Sequence, residues 1–317
     1  MRTITALFVG LGSIGTRHLK NLANLCADRG WTLQADALRS DLTRPLRPGA
    51  AELLHAQYTD PAAAPAHYDM VFITNPPSLH AEALRQVRGR GAALFIEKPI
   101  FSAEQTGLAL DELLPAGQKA YVAAPMRWCG AMLALKDRLP ALHPYCARVI
   151  CSSYLPDWRP GVDYRTVYSA RKALGGGVTI DLIHEWDYLV ELFGVPEKLY
   201  NFKGTYSELE IDSDDLSVYI AKYPTLLAEV HLDYFGRGYR RSIELFCRDG
   251  SYLADFGKGT LTLPDGTVQH YEEDVNRRYE REMEYFVDYA LTGCGESCNP
   301  PALALKVLKL TLGENVQ

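Results

Sequence analysis

Over the first 122 residues, short and almost continuously apolar runs alternate with segments of helical periodicity. Residues 4–9, 33–38, 70–74, 93–96 and 120–123 read as strands, and 17–25, 78–88 and 103–114 carry apolar positions at helical spacing between them. Strands that are apolar on both sides, with helices between them, predict a parallel sheet covered on both faces. After Pro140 the pattern changes. Residues 148–154, 199–206, 216–223, 226–234, 242–247, 252–255, 260–263 and 268–271 read as strands, with clear apolar–polar alternation in 216–221 and with Pro224-Thr225, Asp249-Gly250 and Asp265-Gly266 where tight turns are needed. Helical stripes cover 180–193, 275–291 (Tyr279, Met283, Phe286 and Tyr289 on one side) and 301–312. The expected architecture is an α/β chain: a doubly wound parallel (Rossmann) sheet in residues 1–122, then an α+β domain in 123–317 built on an open, mostly antiparallel sheet.

Composition narrows the class. The chain has 317 residues, 47% of them hydrophobic and 23% charged, enough to bury two cores. No apolar run reaches the ~18 residues that span a bilayer, and the N-terminal apolar stretch is too short for a signal peptide. The 7 cysteines are odd in number and scattered, which reads as reduced thiols of a cytoplasmic protein rather than a disulfide framework. Cys294 and Cys298 lack the second pair or histidine that a zinc site needs, so no metal is expected. The net charge of −6 comes without a basic stripe, which leaves a nucleic-acid role without electrostatic support.

The first chemistry-bearing motif is Gly10-Leu11-Gly12-Ser13-Ile14-Gly15, between the first strand and the first helix. In that context Gly10 permits the tight turn, Gly12 lets backbone approach a pyrophosphate, and Gly15 lets the helix pack closely on the strand. The helix N-terminus, with Ser13 and Ile14, offers N–H groups to the diphosphate. At the end of the second strand stand Arg39 and Ser40, a planar cation and a small donor suited to a ribose 2′-phosphate. NADP(H) is therefore favoured, and Asp41, one residue further on, keeps NAD(H) open.

Further motifs follow in order. Thr74-Asn75-Pro76-Pro77-Ser78-Leu79-His80 comes after the strand at 70–74, and Glu97-Lys98-Pro99 after the strand at 93–96. Met126-Arg127-Trp128 opens the linker, and Gly175-Gly176-Gly177 precedes Asp181-Leu182-Ile183-His184-Glu185-Trp186-Asp187. Together with the glycine turn, from about residue 4 to about residue 312, these resemble the glucose–fructose oxidoreductase/inositol dehydrogenase/rhizopine-catabolism (Gfo/Idh/MocA) family. The resemblance implies a nicotinamide cofactor held between a Rossmann domain and an open-faced sheet domain, and a sugar, cyclitol or nucleotide sugar as substrate. It implies Lys98 as the catalytic lysine, with Asp181 and His184 as the other catalytic pair. It also implies Thr74, Asn75, Pro76, His80, Glu97, Lys98 and Arg127 on the cofactor side. Two positions depart from the family pattern. Histidine follows aspartate by three residues where many members have four, and Pro125 stands where many have asparagine.

The chemistry agrees with that resemblance. Oxidising an alcohol needs a base for the hydroxyl proton, and an imidazole such as His184 suits that task near neutral pH. Lys98 beside a positively polarised nicotinamide is suited to relay the proton. Pro99 holds the chain after the strand and permits a cis Lys98–Pro99 bond. On one helix Asp181 and His184 would share a face, so the carboxylate could orient the ring.

The segment 155–172 has no clear periodicity and reads as a functional loop. It carries Trp158, Tyr164 and Tyr168 together with Arg159, Arg165, Arg171 and Lys172. Aromatic faces suit sugar C–H surfaces or bases, and arginines suit carboxylate or phosphate. An anionic sugar derivative, either a nucleotide sugar or an acidic sugar, is the expected substrate. The competing reading pairs these arginines with the domain's own carboxylates. Retention of both Lys98 and His184 favours an enzyme over a cofactor-sensing regulatory or scaffold protein, and over a reductase of a non-sugar cyclic substrate. An open sheet face also predicts a homodimer or homotetramer.

Overall fold

The computed structural model describes residues 2–316. The chain forms two compact units, Met1–Ala124 with Tyr279–Leu305, and Pro125–Arg278 with Lys306–Gln317. Among the described residues, no helix is long and apolar enough to cross a membrane.

The first unit holds six strands: β1 (Thr3–Val9), β2 (Thr32–Leu38), β3 (Leu54–Tyr58), β4 (Tyr68–Ile73), β5 (Gly91–Ile96) and β6 (Lys119–Val122). All pairs are parallel, in the order β3-β2-β1-β4-β5-β6. The strand order reverses between β1 and β4, so the crevice at their C-terminal ends is where a nucleotide sits in this topology. The central strands are fully buried because helices cover both faces. Phe8 stacks on Phe72 at 4.5 Å between ring centroids, and Phe95 lies 5.3 Å from Phe72.

Three expectations change in this unit. The strand β3 was not foreseen, because it is a five-residue edge strand whose side chains are only partly covered and whose pattern lacks the apolar run of its neighbours. The expected helix over 103–114 is instead a single turn, Ala103–Gln105, and a short helix, Leu110–Leu113. A capping box between Ser102 and Gln105 opens that turn, and Gly107 follows it. Finally, the helix Asn276–Thr292, expected in the second domain, contributes its apolar stripe to the first unit. Met283, Phe286 and Val287 belong to the same core cluster as Phe8, Phe72 and Phe95. Its buried Glu282 accepts hydrogen bonds from Tyr121 Oη (2.8 Å) and the Ala124 N–H (2.6 Å). An amphipathic stripe tells that a helix packs, but not against which sheet.

The second unit holds β7 (Cys146–Tyr154), β8 (Lys198–Gly204), β9 (Leu216–Lys222), β10 (Leu227–Asp233), β11 (Phe235–Cys247), β12 (Gly250–Asp255), β13 (Thr260–Thr262) and β14 (Val268–His270). They form one sheet ordered β14-β13-β12-β11-β7-β10-β9-β8. It is antiparallel apart from the β7–β10 pair. One face is buried by Ala147, Val149, Cys151, Ala228, Val230 and Leu232. There Trp186 of the helix His184–Phe193 meets Tyr219 edge-on at 5.1 Å. On the other face Arg148 donates to Glu229 (3.1 Å), and Phe202, Tyr200 and Leu227 are exposed. A groove of about 550 Å³ opens on that face beside Ile150, Ile220 and His231.

The helix expected over 180–193 is divided into Val178–Asp181 and His184–Phe193. Ile183 and Glu185 donate to carbonyls three residues back (Ile180 and Leu182), a tighter winding than the α-helix, and this step buries both Leu182 and Ile183. A helix over Gly130–Arg138 was also not expected.

Candidate dinucleotide site and active-site residues

At the C-terminal end of β1 the three glycines meet three different demands. Gly10 has φ +82°, and a Cβ there would lie 2.8 Å from Asn75. A Cβ on Gly15 would lie 2.6 Å from Thr74 Oγ1 and 2.9 Å from the Gly10 carbonyl oxygen. Thr74 in turn donates from Oγ1 to the Gly10 carbonyl (2.5 Å) and from its N–H to Val9 (2.9 Å), locking the two strand ends together. Gly12 is different. Its φ is −77°, and a Cβ there would meet nothing within 4 Å. The protein's own packing does not require a glycine at 12. Gly12 is also the N-cap of the helix Ser13–Asp28 and supplies no side-chain cap, so the first N–H groups, those of Ser13 and Ile14 among them, gain no partner from it. Nearby, the buried Asn75 Oδ1 has no hydrogen-bond partner. A pyrophosphate and ribose fit these donors and this open backbone.

At the end of β2, Arg39 donates from Nη1 to Gln57 Oε1 (2.8 Å) and from Nη2 to the Arg44 carbonyl (2.5 Å). Both hydrogen-bond partners are neutral acceptors, and a charge interaction runs from the guanidinium to Asp41. The carboxylate of Asp41 is turned back on Thr43, accepting from its N–H (2.8 Å) and its hydroxyl (2.6 Å). Ser40 is partly exposed in the same loop.

The Glu97-Lys98-Pro99 motif is built from inside the unit. The Lys98–Pro99 peptide is cis. Glu97 is buried, and its Oε1 meets Nε2 of the fully buried His18 at 2.5 Å while Oε2 accepts the Lys98 N–H at 3.0 Å. Burial pushes this carboxyl up, but the His18 hydrogen bond and charge, with Lys98, outweigh it and hold it below the ordinary range. His18 escaped the sequence reading, since a histidine inside an amphipathic helix carries no motif. His80 is fully buried, with Nε2 2.9 Å from the Asn75 carbonyl and Nδ1 3.0 Å from the Ile100 carbonyl. Burial lowers its pKa against those two contacts. The neutral ring donates to one carbonyl at a time, and it ties the loop after β4 to the loop after β5. Pro76 opens the turn between Asn75 and His80 and caps the short helical turn Pro77–Leu79.

In the second unit Arg127 is buried at the end of the turn Pro125–Trp128. Its Nε and Nη2 grip Asp187 (3.1 and 2.7 Å) and its Nη1 donates to Glu191 (2.6 Å). It thereby braces the helix His184–Phe193. Arg241 braces the same helix through the fully buried Glu185, at 2.7 and 3.0 Å. His184 sits half-buried at this helix's first position. Asp181, at the end of the preceding turn, accepts from Tyr168 Oη (2.6 Å) and Tyr234 Oη (2.5 Å). The short helix holding it is capped by Asp214, which accepts from the Thr179 N–H (2.9 Å).

The loop resolves the choice between its two readings residue by residue. Arg165 pairs with Asp163 (2.9 Å) and Glu210 (3.0 Å), and Arg171 lies 3.6 Å from Asp212. Tyr164 Oη accepts the Glu210 N–H (3.2 Å). These groups serve the loop's own fold. Trp158 donates to Ser153 Oγ (3.0 Å) and meets Tyr234 edge-on at 5.2 Å. Arg159 stands apart: its guanidinium lies 5.6 Å from the Tyr168 ring centroid.

Residues 4–123 match the profile of the oxidoreductase family with the NAD-binding Rossmann fold, Gfo/Idh/MocA. No curated protein matches the chain in sequence. Among solved structures the chain is similar to a levoglucosan dehydrogenase in complex with NADH, with 15% identity, TM-score 0.82, and 98% of this chain and 96% of that one covered. It is similar to a myo-inositol 2-dehydrogenase from Lactobacillus plantarum, with 19% identity, TM-score 0.75, and 98% and 96% covered. It is also similar to a UDP-N-acetylglucosamine 3-dehydrogenase from Acidithiobacillus ferrooxidans, with 18% identity, TM-score 0.72, and 99% and 97% covered. At such identities the likeness carries the two-domain fold. The matched segment, residues 4–123, is similar to the NAD-binding Rossmann domain of the Gfo/Idh/MocA oxidoreductase family.

Proposed function

We propose that the protein is an NAD(P)-dependent dehydrogenase or reductase that moves a hydride between the nicotinamide and a hydroxyl or carbonyl carbon of a sugar derivative. The observation that carries this reading is the open backbone at Gly12 and its uncapped helix N-terminus, in a unit that also holds the loop opening with Glu97-Lys98-Pro99. When bound, the cofactor supplies the hydride acceptor or donor. The backbone of Gly10, Gly12, Ser13, Ile14 and Gly15 holds its diphosphate, and Thr74, Asn75 and Pro76 line the neighbouring edge. Lys98 donates to the substrate oxygen, with its main chain set by Glu97, and His184 takes or returns the hydroxyl proton. His80 and Arg127 serve as braces for these loops and helices.

Arg39 with Ser40 supports NADP(H) over NAD(H), since the hydrogen-bond partners of Arg39 are neutral and the Asp41 carboxylate is engaged by Thr43 and Arg44. For the substrate, the self-pairing of Arg165 and Arg171 leaves Arg159, over Tyr168, and Lys172 as the loop cations for an anionic group. A sugar acid or nucleotide sugar fits Arg159 and the aromatic surface of Trp158 and Tyr168. The exposed face of the eight-stranded sheet, with Phe202, Ile220 and Leu227, supports a homodimer or homotetramer.

The test combines fluorescence titration with NADPH and NADH and turnover on a panel containing levoglucosan, myo-inositol, UDP-N-acetylglucosamine and their sugar-acid counterparts. Binding of NADPH below millimolar concentration is expected, tighter than NADH. Turnover should be lost in the Lys98→Ala and His184→Ala variants. Failure of both nucleotides to bind, or activity that survives both substitutions together, overturns the reading.

A further inference from the structure

Two phenols converge on one carboxylate in the second unit, and one of them, Tyr234, has no part in the reaction as described. Tyr234 lies where β10 passes into β11 and is fully buried. Its N–H donates to the Asp215 carbonyl (3.0 Å), and its carbonyl accepts the N–H of Leu155, the first residue of the aromatic and basic loop (2.9 Å). Trp158, three residues into the loop, meets its ring edge-on. Tyr168 reaches in from the loop's far end, and the two hydroxyls occupy one oxygen each of the buried Asp181. Burial, reinforced by the Asp181 charge, raises both phenols above their ordinary range, so at neutral pH both are donors. A buried carboxylate needs such donors, and here one comes from the loop's far end and the other from the strand junction that holds the loop's first residue.

We propose that Tyr234 is a positioning residue which, with Tyr168, makes Asp181 the clamp that holds the loop 155–171 closed, and that the closed loop selects the substrate. This rests on the dehydrogenase reading only for the second half of the claim. Asp181 then works as an anchor, and the proton chemistry falls on His184 and Lys98. Gly176 fits the same device: a Cβ there would lie 1.9 Å from the Tyr168 carbonyl oxygen, so this glycine lets the loop end lie against the chain that leads into Asp181.

Tyr234→Phe keeps the ring and its contact with Trp158 and removes the hydroxyl alone. A hydrogen bond to a charged group is strong enough that its loss should speed trypsin cleavage after Arg165, Arg171 or Lys172 by about tenfold or more. The thermal midpoint of the full chain serves as the control for global unfolding. Tyr168→Phe, at the more exposed end of the clamp, should do the same. The double variant should fall short of the product of the two, because both act through one carboxylate. On whichever panel substrate is turned over, KM should rise by a similar factor while kcat stays within about threefold. Wild-type cleavage rates in both variants overturn the clamp, and a fall in kcat at constant KM overturns the positioning role in favour of direct chemistry at Asp181. If no panel substrate reacts, the dehydrogenase reading is what fails, and the proteolysis still decides the clamp.

Discussion

The glycines at 12 and 15 look alike in the sequence, and the structure predicts opposite consequences for replacing them with alanine. At Gly15 the new methyl would lie 2.6 Å from Thr74 Oγ1 and 2.9 Å from the Gly10 carbonyl. Neither is the loose end of a flexible side chain, because Thr74 is itself tied to Val9 and Gly10. The helix must move off the strand, and overpacking of this kind costs about 1–3 kcal/mol. For a unit of this size each kcal/mol lowers the unfolding midpoint by roughly 2–4 °C. At Gly12 the methyl would enter open space, with φ −77° accessible to any residue. The fold then loses only the N-cap preference of glycine over alanine, about 1 kcal/mol or less. The methyl would, however, occupy the space through which a pyrophosphate reaches the backbone. Each lost hydrogen bond to a charged phosphate is worth about 1.5–3 kcal/mol, or roughly ten- to a hundredfold in Kd. Ligand-free thermal unfolding and NADPH fluorescence titration, run on both variants, separate the two effects. Gly12→Ala should bind weakly and melt close to wild type, and Gly15→Ala should melt early. A Gly12→Ala protein that binds NADPH within twofold of wild type would refute the assignment of that backbone to the diphosphate.

Two further outcomes follow from buried charge. Arg127→Met leaves Asp187 and Glu191 without their shared cation, and breaking a buried pair costs about 3–5 kcal/mol. Urea unfolding should register that loss while NADPH affinity is unchanged, and the opposite pattern would return Arg127 to the cofactor site. His80 has a folded pKa below 6.5, so below pH 6.5 the unfolded chain binds more protons than the folded one. Its contribution is therefore complete above pH 6.5 and is lost as the pH falls from there toward the folded pKa. The wild-type unfolding midpoint should drop more between pH 7.5 and 5.5 than that of His80→Gln, and equal drops would show that the ring titrates normally.

Much of this protein was legible in its sequence, because local rules wrote it there. Continuous apolar runs separated by helical stripes can bury both sides only in a covered parallel sheet, and the glycine turn acquires its meaning from the strand before it and the helix after it. The alternation of apolar and polar residues in 216–221 likewise pointed to a sheet with at least one polar face. What only the tertiary structure decided concerns partners far apart in the chain. The stripe on Asn276–Thr292 was readable, but its destination against Phe72 and Phe95 was not. His18 stands 79 positions from Glu97, and no periodicity joins a histidine to a carboxylate at that separation. The loop arginines could be counted from the sequence, yet whether each faced a ligand or a carboxylate of its own domain depended on where Asp163, Glu210 and Asp212 were brought by the fold. Asp181 was singled out as a member of a catalytic pair, and the structure surrounds it with two phenols, one of them 53 residues away. Periodicity acts along the chain and reveals which faces must be buried; hydrogen bonds and ion pairs are satisfied in space, and only the folded chain selects their partners.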